Sequence, residues 1–185
     1  AGGFMLINPI FAPGLSLSER PVNRTSKLER LEGFAKILLE SYPVKKGDVL
    51  IIASVSGRNP VPVEMALEAK DKGLTVITLT SLDYSKNVTS RHKSGKKVYE
   101  LADIVLDDCC PKGDAVLQIG KFPQKVAPTS TIAGAYILNS MIARVVEILA
   151  EKGIEPPVFI SGNLDGGDEY NSRKLAEYKD RIFYM

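Results

Sequence analysis

Cysteine is scarce in this sequence, and the two that occur, Cys109 and Cys110, are neighbours. Adjacent residues reach disulfide geometry only with strain, so no disulfide framework is expected. The pair reads as two small apolar groups ending a strand, in a chain from a reducing compartment. Charge of one sign is also lacking: 24 basic residues face 22 acidic ones, a formal net charge of +2. Such a balance excludes a nucleic-acid or membrane partner drawn by bulk electrostatics, so any anion site must be local. No apolar run approaches the roughly 18 residues that span a bilayer, and no charged leader precedes a signal-type core, so the expected location is cytoplasmic. Neither a G-x-G-x-x-G turn nor a Walker lysine appears, which argues against a nucleotide-binding α/β domain. There is no internal repeat and no low-complexity tract, and histidine is reduced to one residue, His92.

What is present is enough for one core. A chain of 185 residues with 44% hydrophobic content fits one α/β domain covering 1–185. The segment "FMLINPI" (4–10) is a strand candidate, followed by a Pro/Gly/Ser-rich connection. "SKLERLEGFAKILLESY" then predicts one helix, with Ser26 and Glu29 as a capping box and Gly33 a mild weakness. "DVLIIAS" (48–54), "TVITLTS" (75–81) and "ADIVLDD" (102–108) are continuously apolar and β-branched, as strands covered on both faces are. Between the first two lies a helix near 60–72, ended by Gly73. Residues 113–127 hold room for a further short strand, and a helix from about Thr131 to Lys152 is apolar nearly all round, which predicts burial in the core or at a subunit contact. A charged helix near 169–180 closes the chain. Strands alternating with helices predict parallel βαβ units in a three-layer αβα sandwich with a mainly parallel sheet. The opening "AGG" looks like a helix end with its left-handed cap, so an earlier strand and helix are expected before residue 1.

Ligands in such sheets bind beyond the carboxyl ends of the strands. There the sequence reads "ASVSGRNPVP" (53–62). Ser54 and Ser56 supply hydroxyls, Gly57 permits a tight turn, and the amides of a turn can form an anion nest. Pro60 biases Asn59 away from helical angles, which fits Asn59 as the N-cap and Pro60 as the first helical residue. The two prolines carry no N–H, so the donors for an anion are expected from the amides of residues 55 to 59, the hydroxyls and Val61. The pattern fits a phosphate, although Ser and Asn also serve as ordinary caps at such junctions.

The run Ser54-Val55-Ser56-Gly57-Arg58-Asn59 resembles the Ser-x-Ser-Gly-x-Thr/Ser/Asn loop of the sugar isomerase (SIS) family of phosphosugar-binding domains. "EMALEAKDKGLTVITLTS" and "ELADIVLDD" are similar to that family's helix, "KG", strand and "LAD" strand. "SRHKSGKKVYELAD" and "APTSTIAGAYILN" resemble a bacterial subgroup sometimes labelled phosphoheptose isomerase-like. The resemblance implies a flavodoxin-like sandwich of five parallel strands, a homodimer or homotetramer, and a sugar phosphate as ligand. It also implies a Ser/Thr cluster at the start of the late helix, matched by Thr129, Ser130 and Thr131, one of which is expected to cap that helix. No cofactor is implied.

Aldose–ketose isomerisation needs a base for the proton alpha to the carbonyl and a group that moves the neighbouring oxygen's proton. His92 is one candidate, set among Arg91, Lys93, Lys96 and Lys97, with a solvated basic loop as the plain alternative. Glu32 is the other, because related SIS enzymes carry a working glutamate near a helix start; Glu29 is assigned to the capping box and Glu64 is expected to point outward. A non-catalytic sensor of sugar phosphates is the competing class. "NLDGGDEYN" (163–171) has oxygen ligands at suggestive spacing but lacks the full calcium-loop pattern. Asp168 as a helix cap accounts for it, and no metal is expected.

Overall fold

The computed structural model describes all residues from 1 to 185. They form two compact units, residues 11–137 and residues 1–10 with 138–185. In the first unit, β1 (Val49–Ala53), β2 (Thr75–Thr80) and β3 (Ile104–Asp107) form a parallel sheet with β2 in the centre. The fold is mixed α/β with a parallel sheet, as the alternation of strands and helices predicts. Three strands take part in that sheet, where the resemblance implied five. Leu50, Ile52, Val76 and Thr78 are buried on one face. The register row Ile51, Ile77 and Ile104 on the other face is half-buried to exposed, so strand composition alone overstated the cover. On that second face lies Leu79, against the first turns of α5 (Ser130–Glu151): a Cβ added at Gly134 would stand 2.9 Å from Leu79 Cδ2.

The helix expected over 26–42 is two helices, α1 (Asn23–Leu28) and α2 (Phe34–Glu40). The Ser26/Glu29 capping box does not form: Ser26 lies inside α1 and Glu29 is its C-cap. Gly33 is the reason for the break, holding φ 84° at the start of α2, a left-handed conformation that glycine adopts without steric cost. Two tertiary bonds fix the break onto α3 (Pro60–Asp71): the Val61 amide donates to the Glu29 carbonyl at 3.1 Å, and the Gly33 amide donates to Glu64. Leu38 and Leu39 of α2 are buried, as are Val63, Met65, Ala66 and Ala69 of α3, where the two helices pack together. After β3 come β4 (Ala115–Leu117) and β5 (Val126–Pro128), an antiparallel pair where one short strand was anticipated.

Helix α5 corrects a further expectation. Gly134 is its one buried residue, and Ile132 and Tyr136 are each 74% exposed, so the helix is not a core element of this chain. It is also long and apolar enough, by length and composition only, to cross a membrane, because Arg144 and Glu147 interrupt the apolar run without lowering its mean hydropathy far.

In the second unit, the strand expected at 4–10 is reduced to one antiparallel bridge, Phe4 to Val158. Pro9 has no N–H for a ladder, and Asn8 instead bonds the Arg181 carbonyl and the Phe183 amide. The last helix, α6 (Gly167–Glu177), has Gly166 as its N-cap at φ 76° with no side-chain cap. Asp168 therefore sits in the first turn, where its charge suits the helix dipole, and is not the cap.

Candidate functional site

Every residue singled out for chemistry lies in the 11–137 unit. The Ser54 amide extends the β1–β2 ladder by donating to Leu79 O at 2.9 Å, after which the chain leaves the sheet. Three carbonyls then anchor the loop. Val55 O accepts from the Ser81 amide at 3.0 Å and from Thr80 Oγ1 at 3.0 Å; Gly57 O accepts from the Val98 amide at 2.9 Å; Arg58 O accepts from the Arg91 amide at 2.8 Å. In a planar trans peptide the carbonyl and the following N–H point in opposite directions. The amides of Ser56, Arg58 and Asn59 are accordingly turned away from those anchors. None of the amides of residues 55 to 59 donates to a group of the chain.

Gly57 takes φ 56°, and a Cβ there would lie 3.4 Å from Ser85 Oγ and 3.6 Å from both Thr80 Oγ1 and Val98 Cβ. Ser54 and Ser56 are half-buried, and the bonds that fix the loop do not run through their hydroxyls. Asn59 holds the N-cap position of α3 with extended angles, but its side chain does not cap: Asn59 Oδ1 accepts from Arg91 Nη1 at 3.0 Å. Val61, expected among the anion donors, is committed to Glu29 O.

Positive charge is concentrated beside this turn. Burial first, then repulsion from Arg30 and Arg58, pulls the Arg91 guanidinium below its ordinary value. Arg58 donates to Thr89 Oγ1 at 3.0 Å through Nη2, while its buried Nε has no partner.

The start of α5 is arranged differently. Asp114 Oδ1 accepts from the amides of Thr129 and Ser130 at 3.0 and 2.8 Å, and Oδ2 from Ser130 Oγ at 2.6 Å. Asp114, not a member of the Thr129–Thr131 cluster, caps the helix; Thr129 Oγ1 donates to Cys110 Sγ at 3.2 Å and Thr131 is exposed. Desolvation alone would raise the Asp114 carboxyl, but the Ser130 hydroxyl and the two amides outweigh it and hold it below the usual range. A depressed folded pKa means stability that is complete above the unfolded value of about 3.9 and lost as pH falls through the folded one. Asp114→Ala is expected to cost about 1 kcal/mol at neutral pH. Thermal melts of parent and variant should converge in strong acid, and a gap that persists there would contradict the capping role.

The third group was only partly visible in the sequence. His92 is 7% exposed and not solvated; its Nδ1 lies 2.8 Å from Ser94 Oγ, and its buried Nε2 has no hydrogen-bond partner. Facing that nitrogen at 3.6 Å is Oε1 of Glu64, which is buried and turned inward, contrary to expectation. Both Glu64 oxygens accept from the Gly33 amide, at 2.9 and 2.7 Å. Glu32, in the α1–α2 break, pairs with Lys93 Nζ at 3.1 Å, and the hydrogen bonds from Lys93 hold its carboxyl below the usual carboxylate range despite some desolvation. One ligand-type atom from each of Glu32, Glu64 and His92 falls within 4.8 Å of the others. Arg91, adjacent to His92, ties this cluster's loop to Asn59 and Arg58. The one available signal for Glu64 was Gly33, a glycine in the middle of an otherwise helical pattern.

Residues 1–81, which include the Ser54–Asn59 loop, match the family model described as SIS domain. A UPF0309 protein of Oceanobacillus iheyensis is 57% identical over 185 residues, covering 100% of this chain and 75% of that protein. UPF0309 proteins of Shouchella clausii and Streptomyces coelicolor are 56% and 45% identical over the full 185 residues, spanning 75% and 74% of their own lengths. With identity this high across the whole chain, and the SIS loop built as described, the chain belongs to the UPF0309 family of SIS-domain proteins.

Proposed function

We propose that this chain binds a phosphorylated sugar, with the phosphate held at the Ser54–Asn59 loop. The observation that carries the reading is the orientation of the loop: its carbonyls are taken up by Ser81, Thr80, Val98 and Arg91, leaving the Ser56, Arg58 and Asn59 amides for an outside acceptor. Two hydroxyls and the crowded Arg58 and Arg91 guanidiniums add donors and charge suited to a phosphate dianion. Thr131 is the member of the late cluster whose hydroxyl is not engaged with Asp114 or Cys110, and it is assigned an outer contact to the ligand. The SIS-domain match supports a sugar-phosphate ligand.

The proposed reaction is aldose–ketose isomerisation through an enediol. Glu32, kept ionised by Lys93, is the base for the carbon-bound proton, and His92 moves the proton of the neighbouring oxygen through its unpartnered Nε2. The protein is read as a cytoplasmic homodimer or homotetramer, the exposed apolar face of α5 serving as a subunit contact and not a membrane span. Incubation with fructose 6-phosphate in deuterated buffer containing a chelator tests the reaction. Carbon-bound deuterium in the recovered sugar is expected. Saturable binding with no exchange would instead identify a non-catalytic sugar-phosphate sensor.

A further inference from the structure

The geometry points to a divalent-cation site formed by Glu32, Glu64 and His92, taking a borderline transition cation of the zinc class. Three independent features converge on it. The buried His92 Nε2 has no hydrogen-bond partner although its side chain is only 3% exposed, which is costly for a polar nitrogen unless something binds it. Its distance to Glu64 Oε1 is 3.6 Å, and two ligands of a tetrahedral zinc with bonds of roughly 2.0–2.1 Å stand about 3.3 Å apart, so that edge is nearly in place. Third, the groups around the ligands already do what outer-shell groups do. Ser94 holds the imidazole at Nδ1, its amide donating at 3.2 Å and its Oγ lying at 2.8 Å, where the hydroxyl can accept the ring proton once a cation occupies Nε2; the Gly33 amide fixes Glu64.

Glu32 completes the set from the α1–α2 break. All three ligand atoms lie within 4.8 Å of one another, and the Glu32 side chain is 39% exposed, so it can close the remaining distance. A cation there competes with the Lys93 ammonium now 3.1 Å from Glu32 Oε2. One imidazole with two carboxylates suits zinc or a related transition cation better than magnesium or calcium, which favour all-oxygen shells. Three protein ligands leave the fourth position open. The inference does not rest on the sugar-phosphate reading, but it constrains it: while Nε2 holds a cation it cannot carry a proton, so metal-loaded protein is expected to lose the deuterium exchange that chelated protein shows.

Zinc chloride titrated into the full chain by calorimetry, with X-ray absorption on the loaded protein, tests the site. Expected are one zinc per chain and a first shell of nitrogen and oxygen including one imidazole. His92→Ala and Glu64→Gln should each weaken zinc by at least about tenfold, the effect typical of disturbing a metal site. Gln keeps an acceptor for the Gly33 amide, and Glu32→Gln, on a partly exposed side chain, serves where Glu64→Gln fails to fold. Ser54→Ala/Ser56→Ala should bind zinc as the parent does, which separates failure here from failure of the phosphate loop. The inference is overturned if His92→Ala retains parental affinity, if no zinc binds, or if the shell contains sulfur from Cys109 or Cys110.

Discussion

Replacing Ser54 and Ser56 together by alanine is expected to weaken sugar-phosphate binding by about a hundredfold or more without lowering the melting temperature. A hydrogen bond to a charged acceptor contributes roughly 1.5–3 kcal/mol, so two lost hydroxyls amount to about 3–6 kcal/mol, or two to four decades in Kd. The fold should be indifferent, because the loop is held through the carbonyls of Val55, Gly57 and Arg58 and not through these side chains. Calorimetric titration with fructose 6-phosphate, beside a thermal melt, measures both halves. Parental affinity in the double variant would remove these hydroxyls from the site.

Gly57→Val is expected to damage stability and binding together. At φ 56° a side chain meets its own backbone, and a branched one also presses on Ser85 Oγ, Thr80 Oγ1 and Val98 Cβ. The left-handed penalty for a bulky residue is about 2–3 kcal/mol, which for a chain of this size lowers Tm by roughly 5–10 °C. The loop can relieve the strain only by giving up the bond from the Val98 amide to Gly57 O, and this displaces the Arg58 amide that follows in the same peptide plane. A variant that melts and binds like the parent would show that the turn does not depend on its glycine.

Local chemistry explains which features could be read from the residues. The Ser54–Asn59 loop stood out because polar residues and a glycine interrupt an apolar strand just before two prolines, and the strand–turn–helix order around it is the order found. Gly73 stops α3 as expected, and Asn59 takes the N-cap backbone conformation. What the sequence hid depends on residues far apart in the chain. Glu64 looks like a solvated helix carboxylate until the chain breaks at Gly33 and brings that amide within 2.7 Å of it. Leu28, Leu31, Ala35 and Leu38 keep helical spacing across a segment that is not one helix, because spacing records the apolar face and not the bond from Val61 to Glu29 that interrupts it. The same limit applies to α5, where an apolar surface all round signals something to be covered but not whether this chain supplies the cover.

The most direct test follows the loop amides themselves. Uniformly nitrogen-15-labelled protein, kept in chelator, is titrated in parallel with fructose 6-phosphate and with fructose, and the amide resonances are tracked. A phosphate seated on the outward N–H groups moves the Ser56, Arg58 and Asn59 signals with the phosphorylated sugar and leaves them in place with the plain one. If those three stay fixed while other regions respond, or if both sugars shift them alike, the anion does not bind where the carbonyl pattern puts it.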